Sequence, residues 1–389
     1  MHEGTPPCRG CSKSGRSGCQ LTSTRTTAGK QSSITRSQSR NSRRSSTKLP
    51  SPPRRQTDGI TTSPRNTTET SLQSLENHIR QLSPTLVLRA CTLFKQKYPG
   101  SDFVHLPSMY TTVLAENWTI DLLFTACLLA LCAPFLPEDG LSLSEEYAAY
   151  VHQKLSDTLF ESPSIQTIQC LLMISVYNFG VGRGYKAWMY IGLATRMIET
   201  LQSSTSDFDF DTNSSNNIKK MQLNRLFWSC TVQDRLIGAG SGHRSSSPLS
   251  AIDLCLPASN YDYSFNRKPQ GTWTIKELYD AGYGDDGVRL SIDHSSSLIV
   301  CGHDNLIRVM SFVRHRKINW MSSSSEHIMP WMPESPWFAL NRDLQAWRNF
   351  HESSVQYPET SVYAHIQFGT SETFAYINLI YYLRYVLMA

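Results

Sequence analysis

Three cysteines near the start carry the sharpest chemical spacing in the chain. Cys8, Cys11 and Cys19 read Cys-x2-Cys-x7-Cys, behind Pro6-Pro7 and ahead of a basic stretch. Two thiolates three positions apart on a tight turn can grip one zinc ion, and a third farther on is a usual closing partner. A structural zinc site takes four ligands. His2 could supply the fourth, though no regular spacing supports it, and three free thiols in a flexible arm is the competing reading.

A second acidic candidate is Asp207-Phe208-Asp209-Phe210-Asp211. Closely spaced carboxylates can hold Mg²⁺, as in helical enzymes that act on diphosphates. These alternate along a polar loop and no second metal motif follows, so a solvated acidic loop is the favoured reading. The eleven histidines are dispersed, without the i, i+4 pair of a metalloprotease helix. No phosphate-binding glycine motif, nucleophile elbow or kinase signature is present. Enzyme chemistry is therefore not expected.

Charge divides the chain. Residues 1–70 hold 13 Lys/Arg against 3 Asp/Glu, while the other residues hold 24 against 29. A basic arm on a mildly acidic body suits phosphate backbones or a nuclear import receptor, with a merely solvated tail as the alternative. Residues 20 to about 70 are Ser, Thr, Arg, Gln and Pro, with too little apolar surface to offset ordering entropy. The other seven cysteines, Cys91, Cys127, Cys132, Cys170, Cys230, Cys255 and Cys301, stand singly in apolar segments and read as buried thiols. No signal-peptide core is visible. The longest apolar run, Leu122 to Leu136, is too short to span a bilayer and reads as a core helix.

The elements that would position these groups are helical. Leu72, Leu75, Ile79 and Leu82 follow at spacings of three and four, an a/d seam of about a heptad and a half. That is short for a coiled coil, and on spacing alone an ordinary amphipathic helix is the favoured reading. Pro84 ends or restarts it. Ser164 is placed to N-cap a helix with Ile165, Ile168, Leu172, Ser175, Val176 and Phe179 on one face. Gly180, Gly182 and Gly184 predict a turn. Trp188, Ile191, Ala194, Met197, Ile198 and Leu201 make the next stripe. Ser142 and Glu145 have capping-box spacing. Further helices are predicted over 221–237, 298–320, 337–350 and 363–388, with a loop at 203–217 and a long connection or insertion over 257–296. No alternating strand pattern stands out. The fold class is all-α: an irregular multi-helix domain preceded by a disordered basic arm.

The ordered series of motifs resembles the fungal binuclear zinc-cluster (six-cysteine) transcription factors and their middle homology region. Pro163 to Leu172 resembles that region's P-S-I-Q-T-I-Q-x-L-L helix. Trp188, Tyr190, Gly192, Ala194, Arg196 and Met197 resemble the W-x-Y-x-G-x-A-x-R-M helix after its glycine turn. Asn224-Arg225-Leu226-Phe227-Trp228 with Asp234-Arg235, then Ile252 to Pro257, then Ser335-Pro336-Trp337 with Leu340, Leu344 and Trp347, follow in the family's order, as does Phe374 to Met388.

The resemblance implies a layout of four parts: a partial zinc-cluster motif over 1–20, a disordered basic linker over 21–70, a short coiled-coil-like helix over 71–83, and the regulatory domain over 84–389. It implies zinc on Cys8, Cys11 and Cys19, phosphate contacts from Arg9, Lys13 and Arg16, and dimerisation through Leu72, Leu75, Ile79 and Leu82. The expected function is DNA-binding regulation of RNA polymerase II transcription in the nucleus, with a metabolic or secondary-metabolite gene cluster as target. DNA, a second copy and related factors are the expected partners; no membrane is expected. The first three cysteines of the six-cysteine motif and its basic stretch are missing. The competing expectation is thus a truncated regulator that pairs with full-length zinc-cluster factors.

Overall fold

Two prolines start the first helices because proline at the first helical position sacrifices no needed N–H. α1 is Pro64–Arg80. Ser83 then accepts the Leu86 N–H at 3.2 Å, Pro84 follows, and α2 runs Pro84–Lys97. Pro84 therefore restarts the chain as a new helix. The computed structural model describes residues 64–136, 141–159, 162–204, 216–241, 249–284, 287–319, 329 and 331–388. All belong to one compact unit, Thr62–Ala389.

α3 is Leu106–Val113 and α4 is Leu122–Cys132. α4 is capped by Asp121, which accepts the Phe124 N–H at 2.7 Å. Every residue from Phe124 to Cys132 is buried, so this helix is the axis of the core, as the apolar run predicts. α5 is Leu141–Thr158, α6 Ile165–Gly180 and α7 Gly184–Ser204. Ser164 caps α6 through the Thr167 N–H at 3.0 Å, as its position predicts. The α6–α7 turn needs Gly182 at φ +79°, which only glycine adopts cheaply. α6 and α7 pack as an antiparallel pair, and α4 lies against both α5 and α6.

α8, Asn216–Ser241, and α11, Ser295–Asn319, join the first half to the second. Between them lie two short helices, α9 (Asn260–Ser264) and α10 (Ile275–Gly282). The second half closes with α12 (Pro336–Asn349), α13 (Val362–Gln367) and α14 (Ser371–Met388). α11 packs on α14 and α12. No β-strand occurs among the described residues; Leu290 and His351 make one isolated parallel bridge.

Several expectations need correction. The α6 face read as one stripe is too narrow, because Ile168 to Ser175 are buried all round while Phe179 is half exposed. A helix with α4, α5, α7 and α8 on its sides has no free polar face. Of the capping box expected from Ser142 and Glu145, the Ser142 side chain lies outside the described residues, and Glu145 within α5 receives the Tyr177 hydroxyl and the Arg183 guanidinium, both at 2.6 Å. The predicted helix over 363–388 is two helices, because Gly369 at φ +67° reverses the chain. The stretch 257–296 is not a plain connection, since α9 and α10 stand in it; α10 carries a true capping box from Thr274 and Glu277. Of the scattered cysteines, six are buried and Cys255 is exposed. Burial pushes the Cys91 thiol up to about 12, in keeping with an inert core thiol.

Candidate functional site

α8 enters the core carrying an arginine in its middle. Arg225 is flanked by Leu223, Leu226, Phe227 and Trp228, so the helix cannot bury those residues without burying the guanidinium as well. An unpaired buried charge would cost several kcal/mol, and the fold surrounds this one with acceptors. Nη1 donates to Asp102 Oδ2 at 2.5 Å and to Ser296 Oγ at 3.0 Å. Nη2 donates to the Ala258 carbonyl at 2.8 Å and to Asn260 Oδ1 at 3.0 Å. The guanidinium also stacks 4.3 Å from the centre of the Tyr263 ring. These partners come from the turn after α2, the stretch before α9, α9 itself and the start of α11.

Asp102 is the counter-charge. Burial pushes its carboxyl up, but the Arg225 and Lys95 charges outweigh this and hold it below the usual carboxylate range. Lys95 Nζ stands 3.6 Å from the other oxygen, Oδ1. Two neighbours of Arg225 tie down the same segment. Asn224 Nδ2 and Trp228 Nε1 both donate to the Cys255 carbonyl at 2.9 Å. One turn of α8 thus holds the whole 255–263 stretch against α2 and α11.

A cavity of about 400 Å³ adjoins this centre. Its floor includes Val87, Val104, Phe124, Thr125 and Gln169, and its rim includes Ser108, Thr112, Thr119 and Gln166. His105 belongs to both places. Its Nδ1 accepts the Ser108 N–H at 3.2 Å, capping α3, so its proton is on Nε2, which donates to the Tyr263 carbonyl at 2.9 Å. Burial pushes this histidine below its ordinary value, which keeps it neutral. A second cavity, about 560 Å³, lies on the other side of α8 between Met221, Asn224, Cys255 and Lys268.

Leu72, Leu75, Ile79 and Leu82 come together, and they face this chain's own core: Ile79 is fully buried and the other three are half-buried against the same cluster. Cys8, Cys11, Cys19, Arg9, Lys13 and Arg16 lie outside the described residues, as do Asp207, Asp209 and Asp211. Among the described residues, no group of three or more His, Cys, Asp or Glu could hold a metal ion. No helix among them is long and apolar enough to cross a membrane. Sequence reasoning passed over Asp102 and Lys95. An arginine inside an apolar helical run signals a buried partner, but nothing in the linear pattern says which carboxylate it is.

Residues 92–356 match the fungal specific transcription factor domain, and the chain belongs to that family. A transcriptional regulatory protein of Schizosaccharomyces pombe is 23% identical over 291 residues, covering 67% of this chain and 40% of the relative. A second from the same yeast is 28% identical over 134 residues, covering 34% of this chain and 21% of the relative. The Zn(2)-C6 fungal-type transcription factor FTF1c of Fusarium oxysporum f. sp. lycopersici is 25% identical over 177 residues, or 42% of this chain and 18% of the relative. The chain spans less than half the length of these curated relatives. No solved structure matches. The relatives it matches are named as transcriptional regulators, and this family is not one of enzymes.

Proposed function

We propose that the chain is the regulatory part of a DNA-binding transcription factor of zinc-cluster type. It acts on RNA polymerase II promoters in the nucleus, with a metabolic or secondary-metabolite gene cluster as target. The observation that carries this reading is the match of residues 92–356 to the fungal specific transcription factor domain, together with the likeness to a factor named as Zn(2)-C6 fungal-type.

Cys8, Cys11 and Cys19 are the residues that would bind zinc, and Arg9, Lys13 and Arg16 those that would meet phosphates. Three thiolates fall one short of a tetrahedral site, and further still from a six-thiolate cluster. The donor set present does not close a site, so no DNA-reading step is assigned to zinc in this chain. A second reading has the chain act by pairing with full-length zinc-cluster factors. Pairing through Leu72, Leu75, Ile79 and Leu82, with a second copy or a relative, requires α1 to leave the body, because Ile79 is buried there.

Chromatin immunoprecipitation of the tagged endogenous protein tests the function. Enrichment at a set of promoters whose transcripts change on deletion supports it. Signal that is flat across the genome, with unchanged transcripts, sinks it. Gel shifts with the purified 389-residue chain should give weak, salt-sensitive, non-selective binding. Tight sequence-selective binding by this chain alone would contradict the half-cluster reading.

A further inference from the structure

The cavity beside His105 holds two polar groups without partners. Gln169 on α6 is 7% exposed and Thr125 on α4 is 2% exposed, and both line the cavity. Neither the Gln169 carboxamide nor the Thr125 hydroxyl meets a hydrogen-bond partner among the described residues, and neither is among the fully enclosed polar atoms, so both open onto the cavity and are free to meet what fills it. Some helical threonines in this chain satisfy themselves on the carbonyl four residues back, as Thr92 does on Leu88 and Thr195 on Ile191, while Thr231 does not. Nor does Thr125.

The rest of the lining is apolar or neutral. Val87, Val104, Met109, Val113, Trp118, Phe124 and Ile165 supply the walls. No lysine or arginine lines the space, and the one carboxylate, Asp121, already accepts the Phe124 N–H and the Gln166 carboxamide. Both nitrogens of His105 are engaged as well. The volume, about 400 Å³, is in the range of small-molecule pockets. Nothing here would neutralise an anion, so a carboxylate or phosphate would enter at full desolvation cost beside Asp121.

We propose that this cavity, between α2, α3, α4, α6 and α8, binds a neutral, largely apolar small molecule, and that Gln169 and Thr125 recognise its amide, carbonyl or hydroxyl group. An amide can donate and accept at once, and a hydroxyl likewise, so the pair selects a polar head on an apolar body. The inference goes beyond the DNA-binding reading and does not depend on it. Occupancy would reach the Arg225 centre through His105, whose Nε2 holds the Tyr263 carbonyl while the Tyr263 ring covers the guanidinium.

Calorimetric titration of the full chain with two probes of one shape, a naphthalene carboxamide and the corresponding naphthoate, tests this. The carboxamide should bind saturably at one site per chain, with the naphthoate at least about tenfold weaker. Gln169→Leu removes the amide at near-constant volume; it should weaken the carboxamide by about tenfold while raising the urea midpoint of the empty protein. Thr112→Trp, at the exposed rim, should block entry without touching the core, and decides the matter if the first variant fails to fold. The proposal is overturned if the carboxamide gives no saturable heat, if both probes bind equally, or if neither variant changes the binding.

Discussion

Arg225 and Asp102 stand 123 positions apart in the chain and meet at 2.5 Å, with 1% and 9% of their side-chain surfaces exposed. The pair clamps the turn after α2 to the middle of α8. Arg225→Met should cost about 3–5 kcal/mol, because it leaves Asp102 buried with Lys95 as its remaining counter-charge and the Ser296 hydroxyl as its donor. The double variant Arg225→Met/Asp102→Leu should recover a large part of that loss. Urea unfolding of the four proteins of this cycle gives the coupling directly. A single-variant loss under about 1 kcal/mol would mean the pair behaves as an exposed one.

Acid should weaken the body in two stages. Burial pushes His303 down to about 4 and His351 well below its ordinary 6.5. The unfolded chain therefore takes up protons on both near pH 6.5 while the folded one does not, so stability falls as pH drops from there toward 4. Asp102 acts lower still: its depressed folded value makes its contribution full above the unfolded carboxyl range and lost as pH falls through the folded value. Asp304, raised by burial against the pull of Arg308, works the other way, and its contribution is lost as pH rises through its folded value. Neither ring nitrogen of His351 has a hydrogen-bond partner. His351→Leu should therefore flatten the upper stage, read from urea midpoints between pH 7.5 and 4.5. An unchanged profile would remove His351 from the account.

Two glycines should respond in opposite ways. A Cβ on Gly282 would stand 2.4 Å from the Ala346 carbonyl, which belongs to the facing backbone of α12 and cannot swing away. Gly282→Ala should cost about 1–3 kcal/mol by overpacking. Gly180, in the last turn of α6, has nothing within 4 Å of the same position, so Gly180→Ala should be neutral or mildly stabilising. Thermal midpoints of the two variants check the contrast.

Ile79 lies on α1 yet is fully buried in the main core. Ile79→Ala should lower stability by about 2–5 kcal/mol, as for a core aliphatic. Limited proteolysis should then cut first between α1 and α2. A loss below about 0.5 kcal/mol would mean that α1 does not rest on the body in solution.

Much of the helical architecture was legible in the chain. Apolar spacing marked α4, α6, α7, α8, α11 and α12, and Ser164 marked the start of α6 through its side-chain cap. What was not legible was environment. The α6 face was drawn as a stripe because spacing reports one side of a helix, whereas Gln169, Cys170 and Met173 are buried by neighbours that arrive from elsewhere in the chain. Glu145 looked like a cap and serves Tyr177 and Arg183, because a carboxylate goes to the strongest donors within reach.

The amino-acid sequence by itself determined the fold class, the run of helices and the regulator family, because these follow from local periodicity, capping residues and ordered motifs. Tertiary structure alone decided which polar residues matter. Arg225 needed Asp102 and Tyr263 brought from distant segments, and Gln169 and Thr125 became notable only because α4 and α6 meet at a cavity that leaves both without partners. Whether a buried polar group is satisfied depends on atoms many residues away, and no local pattern carries that information.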